Sequence, residues 1–193
     1  KKGIADSSEI DKNAIIQGEV IIDEDVKLMA GAVVNGPCYL GKGTILATNA
    51  LVRESNIGAN CVIGFSTEIA RSHLGDDVWT HSNYIGDSVI GNNVSFGAGT
   101  VTGNLRLDEA EIIVKADEKQ FTTGSNKFGL VTGDDIRVGV NTSFMPGVKL
   151  GSKSFIGAGI VVTENVPEKS FVRGKWEIKV SENLGEIPKK RTL

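Results

Sequence analysis

Every sixth residue from Ile4 to Val52 is aliphatic: Ile4, Ile10, Ile16, Ile22, Leu28, Val34, Leu40, Leu46 and Val52. A period of six fits neither the 3.6-residue turn of an α-helix nor the simple alternation of an isolated strand. In a chain that is 40% hydrophobic, nine such positions in a row arise by chance on the order of once in a thousand, even with six registers to choose from. The pattern slips by one residue to Ile57, Ile63 and Ile69, and slips again to Leu74. It returns at Ile90, Phe96 and Thr102, and later at Val138, Phe144, Leu150, Ile156 and Val162.

The residue after the aliphatic is often Gly, as at Gly41, Gly58, Gly64, Gly75, Gly91, Gly97, Gly139, Gly151 and Gly157. The fifth of each unit is small or β-branched: Val26, Ala32, Thr44, Ala50, Thr67, Val78, Val94, Thr100, Thr142 and Val148. Six residues make a short strand and a corner, with the aliphatic pointing inward, the small residue packed beside it and Gly serving a bend that other residues would strain. Three units close an 18-residue coil with three flat faces, and stacked coils pair as parallel strands. The fold expected is therefore all-β, a parallel β-helix, with the slips around 52–57, 69–74 and 80–85 at corners. One coil cannot bury its own face, so the array has to be long. With aromatics at 6% and 24 Gly, its interior is built of aliphatics rather than rings.

Between Leu107 and Thr132 the period is lost, and 108–127 reads as an excursion in which Glu111–Lys115 and Gln120–Thr123 form a small hairpin. Residues 1–170 are assigned to the repeat and 171–193 to a capping arm whose basic end (Lys189, Lys190, Arg191) reads as a solvated tail. A net charge of −3 argues against a nucleic-acid partner. No apolar run reaches the roughly 18 residues of a membrane span, and no secretory leader is visible. Cys38 and Cys61 lack a CxxC spacing and read as buried, reduced thiols of a cytoplasmic protein. Because the repeat starts at Ile4 and no initiator Met precedes it, the chain is expected to be the C-terminal portion of a longer protein.

The hexads resemble the left-handed β-helix of the hexapeptide acyltransferases, and the hand of the coil comes from that resemblance alone. A closer one follows from His81, Tyr84, Gly86-Asp87, Ile90-Gly91-Asn92-Asn93-Val94, Gly97-Ala98-Gly99-Thr100 and Asn104. This series resembles the acetyltransferase domain of the bifunctional sugar-1-phosphate enzymes that make UDP-N-acetylglucosamine. Asn104-Leu105-Arg106-Leu107-Asp108 with the excursion, then Asn126-Lys127-Phe128 and Gly133-Asp134-Asp135, look most like its archaeal-type members. The likeness spans about Val52 to Val172.

The resemblance implies N-acetylation of an amino-sugar 1-phosphate, glucosamine-1-phosphate or a relative, with acetyl-CoA as co-substrate. Magnesium would enter only through a nucleotidylyltransferase domain outside this chain. The substrate ammonium must lose a proton before it attacks the thioester, and an imidazole suits that role. Carried over residue by residue, His81 is the base and Glu68 the carboxylate that could orient it, an exposed glutamate being the alternative. Tyr84, Asn104, Lys127 and Arg71 would bind the sugar phosphate. Ala158, between Gly157 and Gly159, would let CoA approach, with Arg173 and Lys175 for its phosphates; simple coil corners are the competing reading of those glycines. The family also implies a homotrimer, and the excursion is expected to cover the sugar-phosphate site.

Two departures matter. Ala70 stands where the family carries a phosphate-binding lysine, and Arg53 is displaced by about one residue. A second function class therefore stays open, an inactive β-helix that oligomerises or regulates a nucleotidylyltransferase. A trimeric β-helical carbonic anhydrase needs three zinc histidines; only His73 and His81 exist.

Overall fold

The computed structural model describes residues 3–116, 119–175 and 177–185. Their strands are two to four residues long and stack in parallel as a β-helix of about nine turns, with no helix among the described residues. The first face runs from Gly3–Ile4 through Val20–Ile22, Cys38–Leu40, Asn56–Ile57, His73–Leu74, Val89–Ile90 and Val131–Thr132 to Lys149–Leu150. The third runs from Ile15–Gln17 to Val161–Val162. The second consists of two four-stranded stacks, joined through Trp79, which bridges Val62 on one side and Ser95 on the other.

Registry explains the six-residue period. Ile4, Ile22, Leu40, Ile57, Leu74 and Ile90 lie in one in-register column, and Val34, Val52, Ile69 and Ile85 in another. Apart from Ile4 these residues are at most 1% exposed. The fifth-position residues fill the corners beside them and are buried as well.

The slips fall at corners as the spacing predicts. Glu54, Arg71 and Ser82 have φ of 50°, 46° and 48°. Along the first face, the step from Leu40 to Ile57 is one residue shorter than the regular step from Ile22 to Leu40. A further slip at Asp87, φ 50°, shortens the step from Leu74 to Ile90 once more.

The recurring Gly does not supply the bend. Left-handed backbone falls two residues later, on Asn60, Asp77, Asn93 and Asp135, residue types that tolerate it better than most. What the Gly supplies is clearance: a Cβ on Gly58 would lie 2.4 Å from the Gly75 carbonyl oxygen, and one on Gly91 2.5 Å from that of Gly133. The next coil passes directly over each.

Polar columns line two corners. Ser55, Ser72 and Ser88 each donate to a carbonyl two residues back, at 2.7–2.8 Å, and accept an amide from the coil above at 3.0–3.1 Å. Cys38 sits at the foot of this column. At another corner Asp76, Asn92, Asp134 and Ser152 each accept an amide from the preceding coil. Both cysteines are buried and unpaired, and burial pushes the Cys61 thiol up to about 11.

The excursion folds as the expected hairpin, Ile113–Ala116 antiparallel to Lys119–Thr122. It does not cover His81 within the chain. Ile112 and Val114 lie against Gly147, and Asn165 donates to the Lys115 carbonyl at 3.0 Å, so it docks on later coils. Phe171–Val172 is still a strand of the helix, paired with Phe155–Ile156. The described residues from Arg173 onward are exposed, Ile178 by 84% and Val180 by 92%. The basic residues Lys189, Lys190 and Arg191 lie outside the described residues.

Because each inward aliphatic touches the coils above and below, Ile57→Ala should cost about 2–5 kcal/mol, read by chemical denaturation. Its outward counterpart Val89→Ala, 46% exposed, should stay within about 0.5 kcal/mol.

Candidate functional site

Tyr84-Ile85-Gly86 is a strand of the third face, so Tyr84 and Gly86 point outward while Ile85 enters the core. Gly86 makes room for the phenol: a Cβ there would lie 2.5 Å from Tyr84 Oη and 2.9 Å from Asn104 Nδ2. Asn104 Nδ2 donates to Tyr84 Oη at 3.1 Å and also to Asp87 Oδ2. From the preceding coil, Arg71 grips Asp87 with two bonds, Nε to Oδ1 and Nη2 to Oδ2, both 2.7 Å. The side chains of this pair are only 27% and 12% exposed.

The legs of the excursion complete the group. Leu105 bridges Lys127, and Phe128 N–H donates to the Asn104 carbonyl at 3.0 Å. Lys127 is thereby brought close enough for its charge to act on Asp87. Burial pushes the Asp87 carboxyl up, but hydrogen bonds from Arg71 and Asn104 and the charges of Arg71 and Lys127 outweigh it and hold it below its usual range. The bond to Asp87 raises the Arg71 guanidinium in turn. Arg71, Asp87 and Lys127 border a groove of about 850 Å³ that continues onto the first face, where Asn56 and His73 meet at 3.0 Å.

His81 lies at the corner between the second and third faces, the one residue standing where the coils before and after carry two, Gly64-Phe65 and Gly97-Ala98. Its backbone N–H donates to Asn83 Oδ1 at 2.5 Å, and buried Asn83 bonds the Gly97 and Thr100 carbonyls. The exposed imidazole has no hydrogen-bond partner among the described residues. Glu68 does not orient it. Its Oε1 accepts from Arg53 Nε and Nη2 at 2.9 and 2.7 Å, because Glu68 and Arg53 sit in adjacent coils of the same face. Ala70 is fully buried between Arg53 and Gly86 in register.

The residues expected to hold CoA lie along the His81 corner, three to four coils further on, roughly 14–19 Å at the spacing of paired strands. A Cβ on Gly157 would come within 3.7 Å of Arg173 Cα, so Ala158 and Arg173 are neighbours. The Arg173 guanidinium stacks 4.8 Å from the Phe171 ring centre. Lys175 is exposed.

Tyr84, Asn104, Lys127 and Arg71 are thus assembled in one chain, whereas His81 and the Ala158–Arg173 region occupy a separate corner. Asp87, which holds the assembly together, carries no role in the sequence reading, although it belongs to the Gly86-Asp87 pair. Its signal is a carboxylate that follows an arginine by one shortened coil.

Residues 130–164 match the family model described as the hexapeptide repeat of succinyl-transferase. Over 171 residues the chain is 37% identical to the bifunctional protein GlmU of Methanococcus aeolicus, covering 88% of this chain and 41% of that protein. It is 38% identical over 171 residues to the bifunctional sugar-1-phosphate nucleotidylyltransferase/acetyltransferase of Sulfurisphaera tokodaii, covering 85% and 41%. Over most of its own length the chain is similar to the hexapeptide-repeat part of these GlmU-family proteins. It spans about two fifths of the length of the curated relatives it matches. A UDP-N-acetylglucosamine acyltransferase structure from Francisella novicida shares the fold at a TM-score of 0.63 and 16% identity, covering 87% of this chain and 63% of that one.

The Asp87 carboxylate, depressed when folded, stabilises the fold fully above its unfolded value near pH 4. That contribution is lost as pH falls through the lower folded value. Asp87→Asn should therefore cost about 1–3 kcal/mol at neutral pH, and the gap from wild type should narrow as pH falls below about 4. Urea denaturation at both pH values checks it.

Proposed function

We propose that the chain carries the acetyl-CoA-dependent N-acetyltransferase activity of a bifunctional sugar-1-phosphate protein, acting on glucosamine-1-phosphate or a related hexosamine phosphate. The observation that carries this reading is the gathering of Tyr84, Asn104, Arg71 and Lys127 around Asp87 on the outer third face. Such a group offers two cations for a phosphate and a phenol and an amide for sugar hydroxyls. The names of the relatives point the same way. CoA would run along the corner from His81 toward Ala158, Arg173 and Lys175.

In the step proposed, the imidazole of His81 takes a proton from the substrate ammonium, and the freed amine attacks the thioester carbonyl carbon. The tetrahedral adduct gives up the extra proton on its nitrogen and collapses with cleavage of the C–S bond, and a proton taken up by the departing sulfur lets it leave as the thiol. His81 is free for this because no described residue occupies its ring. Assembly into a trimer of roughly 60 kDa, three chains of 20.5 kDa, belongs to the same reading and is in line with the cyclic symmetry common in homo-oligomers.

A second reading has its own support. Ala70, at the position of the expected lysine, is sealed from solvent, and Glu68 serves Arg53 rather than His81. An assembly module that has lost its chemistry would look like this.

Thiol release from acetyl-CoA with glucosamine- and galactosamine-1-phosphate separates the two. On the enzymatic reading His81→Ala lowers turnover by about 10²–10⁴, while the thermal midpoint and the light-scattering mass stay as in wild type. Equal rates in two folded proteins, or no release with any hexosamine phosphate, would establish the assembly module instead.

A further inference from the structure

The outward row of the second face differs from the other two. In register it carries Val62, Trp79, Ser95, Arg137, Phe155 and Phe171. Trp79, Phe155 and Phe171 are 52%, 54% and 59% exposed, in a chain with only 6% aromatic residues.

Arg137 is held in an unusual way. Arg53, Arg71 and Arg106 each direct the Nε/Nη2 edge of the guanidinium onto a carboxylate, that of Glu68, Asp87 and Asp108. Arg137 instead spends its far end. Its Nη1 donates to the Asn93 and Ile136 carbonyls at 2.6 and 3.0 Å, and its Nη2 to Asn93 Oδ1 at 2.7 Å. Asn93 is itself fixed, donating from Nδ2 to Asp135 Oδ1 at 2.7 Å.

A guanidinium carries five N–H groups. These three bonds leave Nε–H and one Nη2–H, the parallel pair that grips carboxylates or phosphates. No carboxylate among the described residues takes that edge. It borders an open cavity of about 550 Å³ shared with Asp77, Trp79, Asn93 and Ser95. Trp79 and Arg137 are two rungs apart, roughly 10 Å along the row.

A fixed two-pronged cation suits a phosphate, and an exposed indole suits a flat ring stacked upon it. Asp77, whose carboxylate accepts no hydrogen bond from a described residue, adds an acceptor for an amino or hydroxyl group beside the ring. We propose that this face binds a nucleotide, with its phosphate on the Nε/Nη2 edge of Arg137 and its base on Trp79. The site shares no residue with the Tyr84–Asp87 group and stands whether or not the chain is an acetyltransferase. A free mononucleotide and the nucleotide end of coenzyme A present the same chemistry.

The chain has two tryptophans, at 79 and 176, so Trp176→Phe leaves Trp79 as the reporter. Its fluorescence is titrated with UMP, AMP, uridine, inorganic phosphate and CoA. Saturable quenching by UMP and AMP is expected, with uridine and phosphate alone each at least tenfold weaker. Arg137→Gln and Arg137→Lys should each weaken nucleotide binding tenfold or more at an unchanged thermal midpoint, the lysine because it keeps the charge but loses the fork. Calorimetry on Trp79→Leu should show a comparable loss. CoA binding more tightly than AMP with the same dependence on Arg137 identifies the coenzyme as the source; CoA no tighter than AMP identifies free nucleotide. Absence of saturable quenching overturns the proposal, as does nucleotide binding that both Arg137 variants leave intact.

Discussion

The structure rests on the hydrogen-bonded stacking of one coil on the next in strict register. Short strands are marginal alone, since two or three residues bury too little surface to offset the entropy of ordering them. Registry multiplies them: once Ile57 lies over Leu40 and under Leu74, every other inward residue of those coils is placed as well. The corner columns extend the same logic to polar groups. Ser55, Ser72 and Ser88 are buried hydroxyls that would destabilise the core if unpaired, yet each is both donor and acceptor to the backbone around it.

The candidate site grows from local departures from that regularity. Shortened coils at Arg71 and Asp87 draw the two residues together on one edge, and the excursion carries Asn104 and Lys127 to the same place. Asp87 is the counter-charge that makes this crowding of cations stable. The bidentate bond to Asp87 already holds the Arg71 guanidinium in place, so little of its side-chain entropy remains to be lost. The corner that carries His81 is also one residue short, but it gathers no such group around the exposed imidazole.

Much of this was legible in the sequence because the inward positions obey a one-letter rule. Where the rule is broken, the break has a chemical reason that periodicity cannot detect. Thr80, Thr102 and Thr132 occupy inward columns, and each hydroxyl accepts an amide N–H from the preceding coil, that of Gly64, Gly86 and Gly91. The glycines were legible as a pattern but not in their role, since a bend and a close approach leave the same mark in a sequence. Pairings were less visible. Glu68 meets Arg53 and Asp87 meets Arg71 only because the coils between them are shorter than the regular repeat, a geometry that shows once the stack is built. The docking of the hairpin on Gly147 and Asn165 is a contact between distant segments that no local pattern encodes.

The excursion has a consequence for how the rod forms. Elsewhere on the first face each strand pairs with the one a single coil away in the chain, whereas Val89 pairs with Val131 across the whole excursion. Closing the larger loop costs only about 1 kcal/mol more by chain entropy, so the finished fold tolerates it easily. Assembly is another matter, because a solenoid grows by adding the next coil to the last, and here the next coil lies beyond a detour. The rod is therefore two local stacks with a single long-range junction. That junction is where Arg71, Asp87, Asn104 and Lys127 meet, so the groove is completed only when the two halves have joined.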